Sequence, residues 1–322
     1  MDNKEALDKK LELLRQKYDH IGQDMLSYLD GLLYSRPVHY WEYIHLETLL
    51  SLQTPRTDFP DERIFICYHQ ITELYFNLIL LELKQLSEKP DFASFMLRGK
   101  RIRNYFKNLT HSFDIMVEGM EVQQFLQFRM ALLPASGFQS VQYRLIEMQS
   151  MPLIQMVNNE VKPDIPSHAT EEDLYGMMYW KYGNLELKTG EKTLTLRLFE
   201  EKYDALLLNT AIQYKGKTLA ELYRKLTPEE RNTPELVQLM KGIDLMMNVF
   251  WPLSHYKSAV KYLHKDQGDM AATGGTNWQK YLPPRFQKRI LLPELWSEEE
   301  IKEWGKAWVL ELFKEKVESF WN

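Results

Sequence analysis

The chain has 322 residues, 44% of them apolar and 26% charged, the balance of a globular protein and not of a disordered one. Glycine and proline, at 14 each, are too scarce for an all-β architecture of many tight turns. A net charge of −5 gives no global electrostatic reason to bind nucleic acid or an anionic membrane, and a single cysteine, Cys67, excludes an intramolecular disulfide framework and multi-cysteine zinc or iron–sulfur sites.

The N-terminus reads Met1-Asp2-Asn3-Lys4-Glu5 and lacks a signal-peptide apolar core, so a cytoplasmic location is expected. Leu7, Leu11, Leu14, Tyr18, Ile21, Met25, Tyr28 and Leu32 alternate by four and three, a heptad seam that predicts one long helix. Arg36-Pro37 should end it. Such a seam needs a cover, either from the same chain or from another subunit. A second pattern runs from about Arg63 to Leu86, with Phe65, His69, Thr72 and Phe76 on one face. Its greasiest stretch, residues 78–81, soon meets Glu82 and Lys84, so no bilayer span is expected. Lys89-Pro90 breaks it. A third helical stretch runs from the mid-nineties to Leu133, with a break near Gly119 and a stop at Pro134, and another helix follows Phe138.

Beyond Val161 the composition changes. Pro163, Pro166, Gly176, Gly183 and Gly190 punctuate a polar region, followed by helical patches around 196–209 and 219–226. Thr233-Pro234-Glu235 starts a helix through Phe250, with proline where its missing N–H costs little. Trp251-Pro252 should kink or restart the chain before a helix carrying His255. Residues 271–276 form a small-residue loop. Ser297 with Glu300 makes a capping box for a last helix with Ile301, Trp304, Trp308 and Leu312 as its buried stripe. The expected architecture is all-α: a helical arm over 1–36, a core from 37–160 and 227–322, and a helical insertion over 161–226 on that core.

Phosphate loops, zinc-protease, nucleophile-elbow and kinase signatures are absent, so any chemistry comes from isolated residues placed by helical geometry. Phe125, Arg129 and Leu132 sit one turn apart, which puts a guanidinium on an apolar face. Its anion is either a carboxylate of this chain or that of a ligand. The small residues of Pro134-Ala135-Ser136-Gly137 permit close approach of a ligand. His69, four residues after Phe65, is either a satisfied core histidine or a group facing a ligand. His255 shares a face with Ala259 and Leu263 and could serve as one axial haem ligand, although spacing alone does not separate it from His264.

Several stretches together resemble tryptophan 2,3-dioxygenase: Tyr40-x-x-Tyr43-x-x-Leu46, Phe65-Ile66-Cys67-Tyr68-His69-Gln70 with Glu73-Leu74, and Phe128-Arg129. Pro134-Ala135-Ser136-Gly137-Phe138-Gln139-Ser140-x-Gln142-Tyr143-Arg144, Trp251-x-x-x-His255 and Thr273-Gly274-Gly275-Thr276 with Tyr281-Leu282 complete the set. The resemblance implies a tetrameric all-α fold that binds haem b and uses dioxygen to cleave the indole C2–C3 bond of L-tryptophan, giving N-formylkynurenine. On the matching positions, His255 would be the proximal iron ligand near Trp251, and Arg129 would pair with the substrate carboxylate. Thr273 would help hold the ammonium, Phe65 and Phe125 would wall the indole, and His69 would face its N–H. Ser136 and Gly137 would line the edge shared by haem and substrate. Tyr40 and Tyr43 would reach into a neighbouring subunit's pocket, making the N-terminal helix an exchanged arm. The sequence departs from the pattern at Pro252, where the family carries arginine, in a longer loop between His255 and Thr273, and in Ala272-Thr273-Gly274-Gly275-Thr276. A related haem monooxygenase acting on a modified indole or another aromatic amino acid, and a non-catalytic helical binding protein, are the competing expectations.

Overall fold

In the computed structural model, residues 3–186, 189–263 and 282–306 are described. Among them the regular structure is helical, as the periodicities predict, with isolated β-bridges joining Val157 to Met178 and Leu185 to Lys192. The chain divides into two compact units between Gln53 and Thr54.

The first unit corrects the expectation of one long N-terminal helix. Helix α1 (Asn3–His20) and helix α2 (Met25–Tyr34) are separated by a turn in which Gly22 takes a φ of +67°. That conformation suits glycine because no Cβ is present to clash. Asp24 then caps α2, its carboxylate accepting from the backbone N–H groups of Leu26 and Ser27. The heptad spacing runs on through the turn, but the glycine and the cap override it. The two helices meet where the Tyr18 and Tyr28 rings stack, 4.3 Å between centroids. Helices α3 (Tyr40–Tyr43) and α4 (Leu46–Ser51) complete the unit, and none of its four helices buries a residue.

The second unit holds the core. Helix α5 (Pro60–Glu88) starts on a proline at its first turn and packs along α6 (Phe92–Ser112), with Phe76, Ile79 and Leu83 buried beside Phe95, Ile102 and Phe106. Buried Glu82 accepts from Arg98 and Arg101, each at 3.1 Å, and so ties the two helices by a charge that stays paired. The break expected near Gly119 is present: α7 (Asp114–Glu118) and α8 (Val122–Phe128) follow, and the chain tightens into a 3-10 turn over Arg129–Leu132. Asp61, at the start of α5, accepts from the Glu121 N–H at 2.6 Å and fixes where α8 begins.

Helix α9 (Val141–Ser150) packs on α5. Next come α10 (Glu171–Gly176), α11 (Tyr179–Tyr182) and α12 (Leu194–Tyr214), the last lying on α9. Trp180, Phe199 and Leu207 from this region join the same hydrophobic core as α5 and α6. Helices α13 (Leu219–Lys225) and α14 (Pro228–Arg231) lead to α15 (Pro234–Leu245), which crosses α6 closely. A Cβ on Gly99 would stand 3.0 Å from the Leu239 side chain, so glycine lets the two helices cross closely without moving that leucine.

At Trp251-Pro252, where a kink or a restart is expected, the helix runs on. A π-helical segment, Met246–Phe250, joins α15 to α16 (Trp251–Leu263) without interrupting the helix. The Trp251 N–H bonds to the Met246 carbonyl, five residues back. Pro252 has no N–H to offer the Met247 carbonyl, and the Tyr143 hydroxyl donates to it at 3.0 Å. The capping box of Ser297 and Glu300 opens α17 (Glu298–Lys302), and Trp304 is buried against Val249, Leu253 and Ile290. Trp308 and Leu312 lie outside the described residues.

Candidate functional site

One cavity of about 400 Å³ lies in the second unit, and α5 supplies its longest side. Phe65, His69, Thr72 and Phe76 recur every three or four residues, so one face of α5 presents them all to the cavity, with Glu73 beside them. Phe125 comes from α8, its ring 6.3 Å from that of Phe65. The Asp61–Glu121 bond sets this pairing, since it holds the starts of the two helices together.

The run after Pro134 shows how a loop is anchored so that its small residues can face a cavity. Phe138 is buried against Phe199, 5.6 Å between rings. The Gln139 amide donates to the Thr195 carbonyl on α12, and its carbonyl oxygen accepts from the Ser136 N–H at 2.9 Å. Ser140 caps α9. These three ties leave Ala135, Ser136 and Gly137 along the cavity. A Cβ on Gly137 would meet nothing within 4 Å, so the space there belongs to the cavity and not to packing.

Two histidines line the cavity, and each is prepared in the same way. His69 lies against Phe65, 4.2 Å between rings, with Nδ1 2.7 Å from the Phe65 carbonyl. His255 sits between Phe113 at 4.6 Å and Trp251 at 4.5 Å, with Nδ1 3.1 Å from the Trp251 carbonyl. A carbonyl can only accept, so Nδ1 carries the proton in both and Nε2 presents its lone pair. Burial lowers both pKa values: that of His69 against the opposing effects of the Phe65 carbonyl and the Glu73 charge, that of His255 to about 4. The charges of His69 and Arg144 also lower the His255 value. Both imidazoles are therefore neutral at pH 7. Among the described residues no three His, Cys, Asp or Glu side chains converge on one point.

The sequence-predicted residues divide as follows. Phe65, His69, Phe125, Ser136, Gly137, Trp251 and His255 all line the cavity. Arg129 is 5% exposed, and its neighbours Phe125 and Leu132 line the cavity while it does not. Burial lowers its pKa, the mark of a site unfavourable to its charge. Tyr40 and Tyr43 are exposed on α3 in the first unit. Thr273 and His264 lie outside the described residues. Sequence reasoning gave no role to Arg144, Tyr179 and Arg289, which also line the cavity. Arg144 with Glu147, three apart on a helix, reads as an ordinary surface pair, and nothing local marks Tyr179 or Arg289 as its partners.

Residues 32–153, which include α5, α8 and the Ala135–Gly137 loop, match the family model of tryptophan 2,3-dioxygenase. Over this region, and more weakly along most of its length, the chain is similar to the tryptophan 2,3-dioxygenase family. It is 27% identical over 274 residues to the tryptophan 2,3-dioxygenase of Ruegeria pomeroyi, covering 82% of this chain and 92% of that one. With the Herpetosiphon aurantiacus tryptophan 2,3-dioxygenase it shares 29% identity over 277 residues, 82% of this chain and 98% of the relative. A shorter match to the Sorangium cellulosum tryptophan 2,3-dioxygenase reaches 40% over 127 residues, 35% of this chain and 31% of that one. The family's matched region ends before α16, so His255 is placed by the cavity and not by the family model.

Proposed function

We propose that the cavity binds haem b through His255 and that the loaded chain uses dioxygen to cleave the indole C2–C3 bond of L-tryptophan, giving N-formylkynurenine. The observation that carries this reading is the preparation of His255. It is a neutral imidazole, its Nδ1 proton committed to a carbonyl, presenting Nε2 to an aromatic cavity. That is the ligand state a haem iron needs. The lining fits a flat apolar macrocycle, because Gly137 leaves open space and Ser258 and Ala259 beside His255 are small.

Bound haem supplies the oxygen chemistry, and the protein orients the substrate and excludes water. Phe65 and Phe125 hold the indole ring. His69, with Nε2 as an acceptor, takes a hydrogen bond from the indole N–H and so fixes the ring's rotation. Arg129, on the turn that carries the cavity-lining Leu132, pairs with the substrate carboxylate through its planar fork. Thr273 contributes to the ammonium end, and Ser136 with Gly137 lets ring and haem edge approach closely.

A homotetramer is part of the same proposal. The first unit buries none of its own apolar side chains, which suits an arm covered by another subunit, with Tyr40 and Tyr43 delivered to that subunit's cavity. The test of function is a product analysis: ferrous, haem-loaded protein is given L-tryptophan in air. A product heavier by two oxygen atoms is expected, and one heavier by a single oxygen would replace dioxygenation with monooxygenation.

A further inference from the structure

The cavity wall itself carries two arginines, neither of them Arg129. Arg144 on α9 and Arg289 from the segment before α17 both line it, at 4% and 6% exposure. Arg144 reaches Glu147 at 2.6 Å and the Tyr179 hydroxyl at 2.7 Å. Arg289 reaches the same hydroxyl at 2.6 Å and pairs with the other oxygen of Glu147. The Tyr179 proton goes to Glu147, 2.6 Å away, so its oxygen accepts from both guanidiniums. The Tyr179 ring also stacks under Arg289, 4.3 Å from guanidinium carbon to ring centre.

Two cations are thus held rigidly in a buried place by a phenol and a carboxylate drawn from three segments far apart in sequence. Rigid planar guanidiniums recognise carboxylates well because little order has to be imposed on binding. The pair shares its cavity with the imidazole assigned to iron, since Arg144, Arg289 and His255 all line it. Arg129 sits on a different element and is assigned to the substrate.

We propose that Arg144 and Arg289 form a carboxylate-recognition site on the cavity wall, and that the carboxylate they take is a propionate of the haem. This rests on the haem reading above. Tyr179 and Glu147 act as positioning residues for the two arginines.

The experiment titrates apoprotein with haem and with haem dimethyl ester, which lacks free carboxylates, following absorbance. Wild-type protein is expected to bind haem at least roughly tenfold more tightly, the scale of one charge-assisted hydrogen bond. Arg289→Gln should remove most of that preference while leaving the affinity for the diester unchanged. Equal wild-type affinities for haem and diester would overturn the propionate assignment yet leave haem binding intact, and this arm needs no variant to fold. A parallel arm compares L-tryptophan with tryptamine on haem-loaded protein. If Arg289→Gln loses discrimination there and keeps the preference for haem over its ester, the carboxylate taken is the substrate's and the propionate assignment falls. Binding of neither porphyrin would overturn the haem reading itself, and this one with it.

Discussion

The two cavity histidines share tautomer, burial and aromatic company, so their different assignments make a sharp prediction. His255→Ala should abolish the Soret band of haem-supplied protein, whereas His69→Ala should retain it and lose turnover by roughly ten- to a thousandfold, the range of an orienting contact. A Soret band that survives in His255→Ala and disappears in His69→Ala would exchange the two roles. Arg129→Ala should raise KM for L-tryptophan by about tenfold to a hundredfold with the haem spectrum unchanged, as steady-state kinetics and absorbance can show together. Loss of haem in that variant would make Arg129 a structural residue. At this scale the sequence is legible where the partners share one helix face: Phe65 and His69, four apart, were recoverable from spacing alone. Arg144, Tyr179 and Arg289 were not, because their contacts span 35 and 110 residues and no local pattern encodes such pairings.

Elements were legible to the extent that helical periodicity governs them. It located α5, α6, α15 and α16, and it carried the N-terminal seam past Gly22 because apolar spacing does not register a positive φ. Neither does it register a π segment, within which the Met247 carbonyl accepts from the distant Tyr143 hydroxyl. The segment that brings Arg289 to the cavity depends on one buried side chain of α15. Asp244 accepts from the N–H groups of Leu291 and Leu292, from the Trp296 indole and from the Asn248 amide. Asp244→Asn puts an NH2 where one oxygen met donors, and should destabilise the protein by about 1–3 kcal/mol. The effect should depend on pH. Burial raises the Asp244 pKa to about 6 from 3.8, so the carboxyl holds a proton more tightly when folded. Its contribution to stability is fully present below the unfolded value and is lost as pH rises through about 6. Urea unfolding of apoprotein should therefore show a larger gap between wild type and Asp244→Asn at pH 4.5 than at pH 7.5. A gap that widens towards pH 7.5 would show that the hydrogen bonds outweigh burial.

Across the whole molecule the feature in need of a partner is the outer face of α5. Its inner face lines the cavity and core, yet Ile71, Leu74, Leu78 and Leu81 remain between 39% and 57% exposed. Their spacing of three, four and three is that of a helix–helix seam. By length and composition this is the one described helix that could cross a membrane. Its ion-paired Glu82 and cavity-lining His69 and Glu73 argue instead for protein on both sides. Fully covering a leucine gains about 1.5–3 kcal/mol, so four partly exposed apolar residues per copy, repeated across a symmetric contact, can hold subunits together. Light scattering on detergent-free wild-type protein should give a tetramer, and Leu74→Glu with Leu78→Glu should give a smaller species because the charges would have to be buried at the contact. Neither leucine lines the cavity, so haem uptake by the dissociated chain should persist. On the proposed exchange of the N-terminal arm, turnover should fall with dissociation, since Tyr40 and Tyr43 would then have no neighbouring cavity to complete. A monomeric wild type, or a variant that dissociates and keeps full turnover, would show that each chain builds its site alone.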